Sequence, residues 1–195
     1  APNTTVNRRH DEDVSVLSRA RMLAQRSETA VTLPTGPSLS VSYQRTFGPG
    51  EAPAGASRNR GLTSDGPDFA GLMSTPSGSV VMLAEAPVPR LRIEVPIRFG
   101  KTTLATANQV VGFPGSYGLW LKRNGSNWAF VFNDEPDAWG SQHDPKFDKG
   151  EVPLTHTETG NPKRPFGVAI VPSGVDRGRL LIVWGQHEWS ADFIT

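Results

Sequence analysis

Apolar and polar positions alternate with a period of two over most of this chain, and the pattern is densest between residues 113 and 145. Two aromatic-rich runs there, 116–122 and 128–133, flank Arg123-Asn124-Gly125-Ser126. Asn-Gly between such runs is the strongest short-range hairpin signal, because both residues tolerate the positive φ of a tight turn. Tyr117, Leu119 and Leu121 fall on one face of the first strand, and Trp128, Phe130 and Phe132 on one face of the second. The hairpin therefore predicts the centre of a β-sandwich core.

Further strand patterns cover 29–33 and 39–46, the latter alternating Leu39, Val41 and Tyr43 with serines. A short apolar run follows at 79–83. Leu91, Ile93 and Val95 then alternate with Arg90, Arg92 and Glu94, and 96–99 continues that strand through a bend. After a polar loop at 134–150, strands are expected at 151–158, 166–171, 180–184 and 188–193. Strands at this spacing, joined by turn residues, predict an all-β antiparallel sandwich or jelly roll.

Two stretches break the pattern. Residues 11–26 read as an amphipathic helix capped by Asp11, with Val14, Leu17 and Leu23 on a narrow apolar stripe that ends at Arg26. Residues 47–78 form a Gly/Pro-rich arm whose only large apolar residues are Phe47, Leu62, Phe69, Leu72 and Met73. A long irregular segment inside a compact domain is usually functional or disordered. Helix and arm are accordingly expected to contact other protein subunits, through Val14, Leu17, Leu23, Leu62, Phe69, Leu72 and Met73. The organisation is an extension, 1–28, followed by one sandwich domain, 29–195.

Composition narrows the classes. The chain has 195 residues, 20 glycines, 17 prolines, no cysteine and a formal charge of +1. Disulfides, thiolate catalysis and Cys-ligated metal are excluded. Scattered Lys and Arg give no basic stripe, so no nucleic-acid partner is expected. No apolar run approaches the roughly 20 residues that span a bilayer, so membrane association would come only through a partner. The chain opens Ala1-Pro2-Asn3 without methionine, the form left by signal-peptide removal. A periplasmic or extracellular location is therefore expected.

The order of Pro114-Gly115-Ser116-Tyr117-Gly118-Leu119, the Trp128-led strand, Trp139-Gly140-Ser141-Gln142-His143-Asp144 and Leu181-Ile182-Val183-Trp184 resembles a bacterial exported β-sandwich family. That family is catalogued as domain of unknown function 2911. The resemblance covers roughly 39–193 and implies the fold and export, but no reaction. Where the family's tryptophan-arginine-threonine-glycine-alanine-asparagine segment would stand, this chain has the arm and 79–85. An activity carried there would be lost.

The sharpest polar cluster is Trp139, Gln142, His143 and Asp144, with Asp148 behind it. It reads as a ligand loop, or as a loop in which Trp139 plugs the sandwich edge and Asp144 caps a turn before Pro145. The histidines His10, His143, His156 and His187 include no i, i+2 histidine pair, so no metal or cofactor is expected. Clustering of His143, His156 and His187 at the loop ends would reverse that expectation. Gly-x-Ser-x-Gly and the phosphate-loop frame are absent. Asp134, Glu135 and Asp137 read as a solvated turn, and most tryptophans as core rather than a sugar platform. The function expected is a non-enzymatic accessory subunit of a larger assembly. A small-ligand or carbohydrate-binding module is the second reading, and a metal-dependent enzyme the third.

Overall fold

A computed structural model describes residues 26–44, 62–83, 86–107 and 113–195. Two antiparallel sheets pack face to face. The first sheet has the order β1 (Arg26–Thr32), β2 (Ser38–Gln44), β3 (Arg90–Ile93), β6 (Ser116–Asn124), β7 (Asn127–Asn133), β8 (Asp148–Pro153). The second runs β10 (Gly167–Pro172), β11 (Arg177–Trp184), β12 (His187–Ile194), β4 (Ile97–Phe99), β5 (Thr102–Leu104), and β9 (Thr155–Glu158) also pairs with β12. The predicted sandwich is the observed fold.

The central hairpin forms as expected, with its turn one residue later. Asn124 pairs with Asn127, which leaves Gly125-Ser126 as a two-residue loop. Only Gly125 takes a positive φ, +65°, so a glycine at the first central position sets the turn. Tyr117, Leu119, Leu121, Trp128, Phe130 and Phe132 all face the main core. On the other face Trp120 and Val131 pack with Val80 and Val88 in a second, smaller cluster. Burial on both faces explains the unbroken apolar runs 117–121 of β6 and 128–132 of β7.

Aromatic contacts tie the two sheets together. Phe132 of β7 stacks on Phe99 of β4 at 5.1 Å, and Phe99 touches Phe193 at 5.5 Å. Trp128 of β7 meets Trp189 of β12 edge-on at 5.4 Å. Gly150 lets β8 approach β5, since a Cβ there would lie 2.2 Å from Thr102 Cγ2.

Two expected single strands are each broken by a change of sheet. Residues 90–99 do not bend within one sheet: β3 ends at Ile93 in the first, and β4 begins at Ile97 in the second. Pro96, which has no N–H to give a ladder, lies at the crossing. Likewise 151–158 splits at Leu154 into β8 and β9, which belong to opposite sheets. β8 also starts inside the expected polar loop, at Asp148. Residues 79–83 make only an isolated bridge, Val80 to Lys122, on the edge of β6 beyond β3.

The expected helix at 11–26 lies outside the described residues, with Val14, Leu17 and Leu23, except for Arg26. That residue opens β1 instead of closing a helix. The described part of the arm is not structureless. Pro67–Leu72 forms a short helix, α1, with proline at its start and Asp68 in its first turn. Leu62 and Leu72 are 1% and 0% exposed and join the main core. Phe69 sits edge-on to Trp184 at 5.5 Å. The Leu62 carbonyl accepts from Phe166 N–H, and the Thr63 carbonyl from Trp184 Nε1. Leu62 and Leu72 thus pack inside the protein's own sandwich, and Phe69 is partly buried against it. Of the four arm residues expected at an interface, only Met73 is well exposed, at 46%. Among the described residues no helix is long and apolar enough to cross a membrane.

Candidate functional site

The loop 134–147 folds back over the outer face of β6 and β7. A bulge between Phe132 and Asn133 shifts the register against β8, so that Asn133 faces Asp148. Asn133 Nδ2 then donates to Asp148 Oδ1 at 2.8 Å and to the Asp144 carbonyl at 2.9 Å. His143 Nε2 lies 2.9 Å from the same Asp148 oxygen, and its ring packs at 5.0 Å on Trp120. Asp144 Oδ1 accepts from Lys146 N–H and caps the short 3₁₀ turn Pro145–Phe147. Its hydrogen bond with the Lys146 side chain, foremost, holds its carboxyl below the usual range.

The expected ligand loop is therefore only partly assembled. His143 and Asp148 line an open groove of about 640 Å³, together with Gly71, Ser74, Val80 and Met82. Trp139 is half-buried and bridges to Pro87 at the sandwich edge, Gln142 is exposed, and Asp144 caps its turn. None of these three lines the groove. The edge-plug and capping reading of Trp139 and Asp144 matches this geometry. Four of the five tryptophans, Trp120, Trp128, Trp184 and Trp189, are at most 3% exposed and can offer no face to a sugar.

The groove's second wall is a strand edge. Val81 N–H donates to Leu121 O at 2.7 Å, and Arg123 N–H to Ser79 O at 3.0 Å, so Ser79 and Val81 turn their backbone groups towards β6. The alternation of an antiparallel pair turns those of Val80 and Met82 outward. Among the described residues the Val80 and Met82 N–H groups have no hydrogen-bond partner. The edge is braced from behind. Arg123 Nη1 donates to the carbonyls of Met73 and Thr75, and Ser77 Oγ accepts from Gly125 N–H at 2.8 Å.

A second constellation lies on β9 and its ladder partner β12, and no i, i+2 spacing of histidines announces it in the sequence. His156 and Glu158 are two apart on β9 and share a face. In the β9–β12 ladder Glu158 stands opposite His187, and His156 opposite Trp189. His156 Nε2 approaches His187 Nδ1 to 3.0 Å, and Glu158 Oε1 lies 3.7 Å from that Nδ1. The ligand atoms of all three side chains fall within 4.8 Å of one another. His143, by contrast, belongs to the loop on the first sheet. The histidines thus converge as a pair on strands, not as a triplet on loops. The sequence signal was the mixed pair His156-Thr157-Glu158, with a carboxylate in place of the second imidazole.

The two imidazoles are firmly held. His156 stacks on Trp189 at 5.3 Å with its plane tilted by 13°, and touches Trp128 at 5.9 Å. His187 is 3% exposed and lies against Trp189 and Phe69. Burial pushes both imidazoles below the usual histidine value, and for His187 the neighbouring His156 adds to the effect. Glu158 counteracts this in both. Arg164 fixes the adjoining turn by donating to the Gly185 carbonyl at 2.9 Å and to Thr159 Oγ1 at 2.9 Å. Comparison of the chain with known protein families, curated proteins and solved structures gives no match, so the functional reading rests on this geometry.

Proposed function

We propose that this chain is a non-enzymatic accessory subunit of an exported assembly, and that it docks an extended segment of a partner subunit along Ser79–Met82. The observation that carries the reading is the outward-facing edge at Val80 and Met82, set beside the groove. An incoming strand would gain main-chain hydrogen bonds from the edge and pockets for alternate side chains from the groove. Met82, which lines the groove and is 48% exposed, offers flexible apolar surface there. The groove's polar residues are spent internally: His143 on Asp148, and Lys122 on Glu151 at 2.7 Å. This supports docking over catalysis. Export and kinship with the resembled family belong to the same proposal.

The test replaces Met82 by lysine, a residue that blunts strand edges. Partner subunits that co-purify from the native source with the wild-type chain should be lost with Met82→Lys, while its circular dichroism and melting temperature stay unchanged. Full retention of the partners by a folded Met82→Lys protein would contradict the reading.

A further inference from the structure

We infer that His156, Glu158 and His187 form a divalent metal site, with zinc the best-matched ion. The three donors are two imidazole nitrogens and one carboxylate oxygen, a set that suits zinc and other borderline transition ions better than calcium or magnesium. Tetrahedral bonds of about 2.0–2.2 Å require donors about 3.3–3.6 Å apart. Two of the separations, 3.0 Å for the nitrogens and 3.7 Å for Glu158 to His187, straddle that value, and the third, between His156 and Glu158, is within 4.8 Å. A small opening of the histidine pair, and a swing of the exposed Glu158 side chain, would complete the geometry.

The scaffold suits a metal for three further reasons. His156 and Glu158 leave one strand on the same face, and His187 enters from its paired neighbour, so the ladder itself sets the spacing. The aromatic walls of Trp189, Trp128 and Phe69 hold both rings against rotation. His187 is 3% exposed and His156 half-buried, so both rings are largely shielded from bulk water. In the metal-free protein one neutral ring donates to the other across the 3.0 Å contact; on metal binding that ring would switch tautomer, its proton moving to its other nitrogen so that both facing nitrogens offer lone pairs. Glu158 brings one negative charge to offset the ion. Three protein ligands leave a fourth position open, as in zinc sites that bind a water or an external ligand.

The test titrates tag-free, chelator-treated full-length chain with Zn²⁺ by calorimetry, and with Co²⁺ by visible absorption, which reports coordination geometry directly. One equivalent should bind, with a four- or five-coordinate Co²⁺ spectrum and a melting temperature raised by zinc. Glu158→Gln, at an exposed position, should keep the fold and weaken binding by at least about tenfold, the loss that even outer-shell substitutions bring. His156→Ala should abolish the Co²⁺ bands, and His143→Ala should leave both readouts unchanged. Absence of stoichiometric binding would overturn the proposal, as would binding indifferent to both site variants. Binding lost in His156→Ala but unaltered in Glu158→Gln would overturn the three-ligand site.

Discussion

Glu158 stands directly across the β9–β12 ladder from His187, with Oε1 3.7 Å from Nδ1, yet the two side chains differ sharply in burial. His187 is 3% exposed between Phe69 and Trp189, whereas 57% of the Glu158 side chain is open to solvent. Packing and ligation are therefore separable. In metal-free protein Glu158→Gln should change stability by no more than about 0.5 kcal/mol. His187→Ala, which opens a cavity beside two aromatic rings, should cost about 3 kcal/mol. Urea unfolding in chelator measures both.

Two glycines with the same backbone sign should respond differently to alanine. Gly115 and Gly125 have φ of +67° and +65°. A Cβ at Gly125 meets open space, so Gly125→Ala carries only the left-handed penalty of about 1–2 kcal/mol. At Gly115 the new Cβ would lie 2.3 Å from the Ile93 carbonyl oxygen, which itself is backbone. Gly115→Ala should unfold the protein or shift its urea midpoint well beyond that of Gly125→Ala.

The arm residues Leu72 and Met73 are neighbours with opposite fates. Leu72 is fully buried in the main core, and Met73 is 46% exposed. Leu72→Ala should cost about 2–5 kcal/mol, while Met73→Ala stays within about 0.5 kcal/mol. Thermal melts of the isolated chain would show it. Equal, negligible effects would mean that α1 is not part of the sandwich.

Glu151 accepts from Lys122 at 2.7 Å and also from Asn124, and the Lys122 contact foremost holds its carboxyl below the ordinary value of 4.5. A carboxyl depressed in the folded state stabilises fully above its unfolded value, and the contribution fades as pH falls through the folded one. The pair is partly exposed, so the effect should be under about 1 kcal/mol. Denaturant midpoints of wild type should fall more steeply than those of Glu151→Gln as pH drops below about 4.5, and the two should run parallel from pH 5 to 7.

The hairpin was legible because its evidence is local: alternation in 116–133 and one glycine decide it. Sheet membership was not, because Leu154 and Pro96 look alike in pattern whether a strand bends or crosses the core. The arm misled for a related reason. Sparse apolar residues argue against a packed segment, yet Leu62 and Leu72 need only two places in the core, and backbone bonds to Phe166 and Trp184 hold the rest. For the candidate sites, the capping by Asp144 was readable from its place before Pro145. The meeting of His156 with His187 was not, since it depends on β9 joining β12 across a change of sheet. The Val80–Met82 edge was hidden too. Its run reads as a strand, and only the topology shows that one side lacks a neighbour among the described residues.

Amide hydrogen exchange at Val80 and Met82 tests the docking proposal most directly. In the isolated chain both N–H groups point away from β6 and should exchange far faster than those of Val81 and Arg123, which are bonded across the edge. In the assembly purified from its native source, the Val80 and Met82 amides should slow to match their neighbours. If both are already protected in the free chain, or exchange equally fast in chain and assembly, no partner strand docks there and the account is wrong.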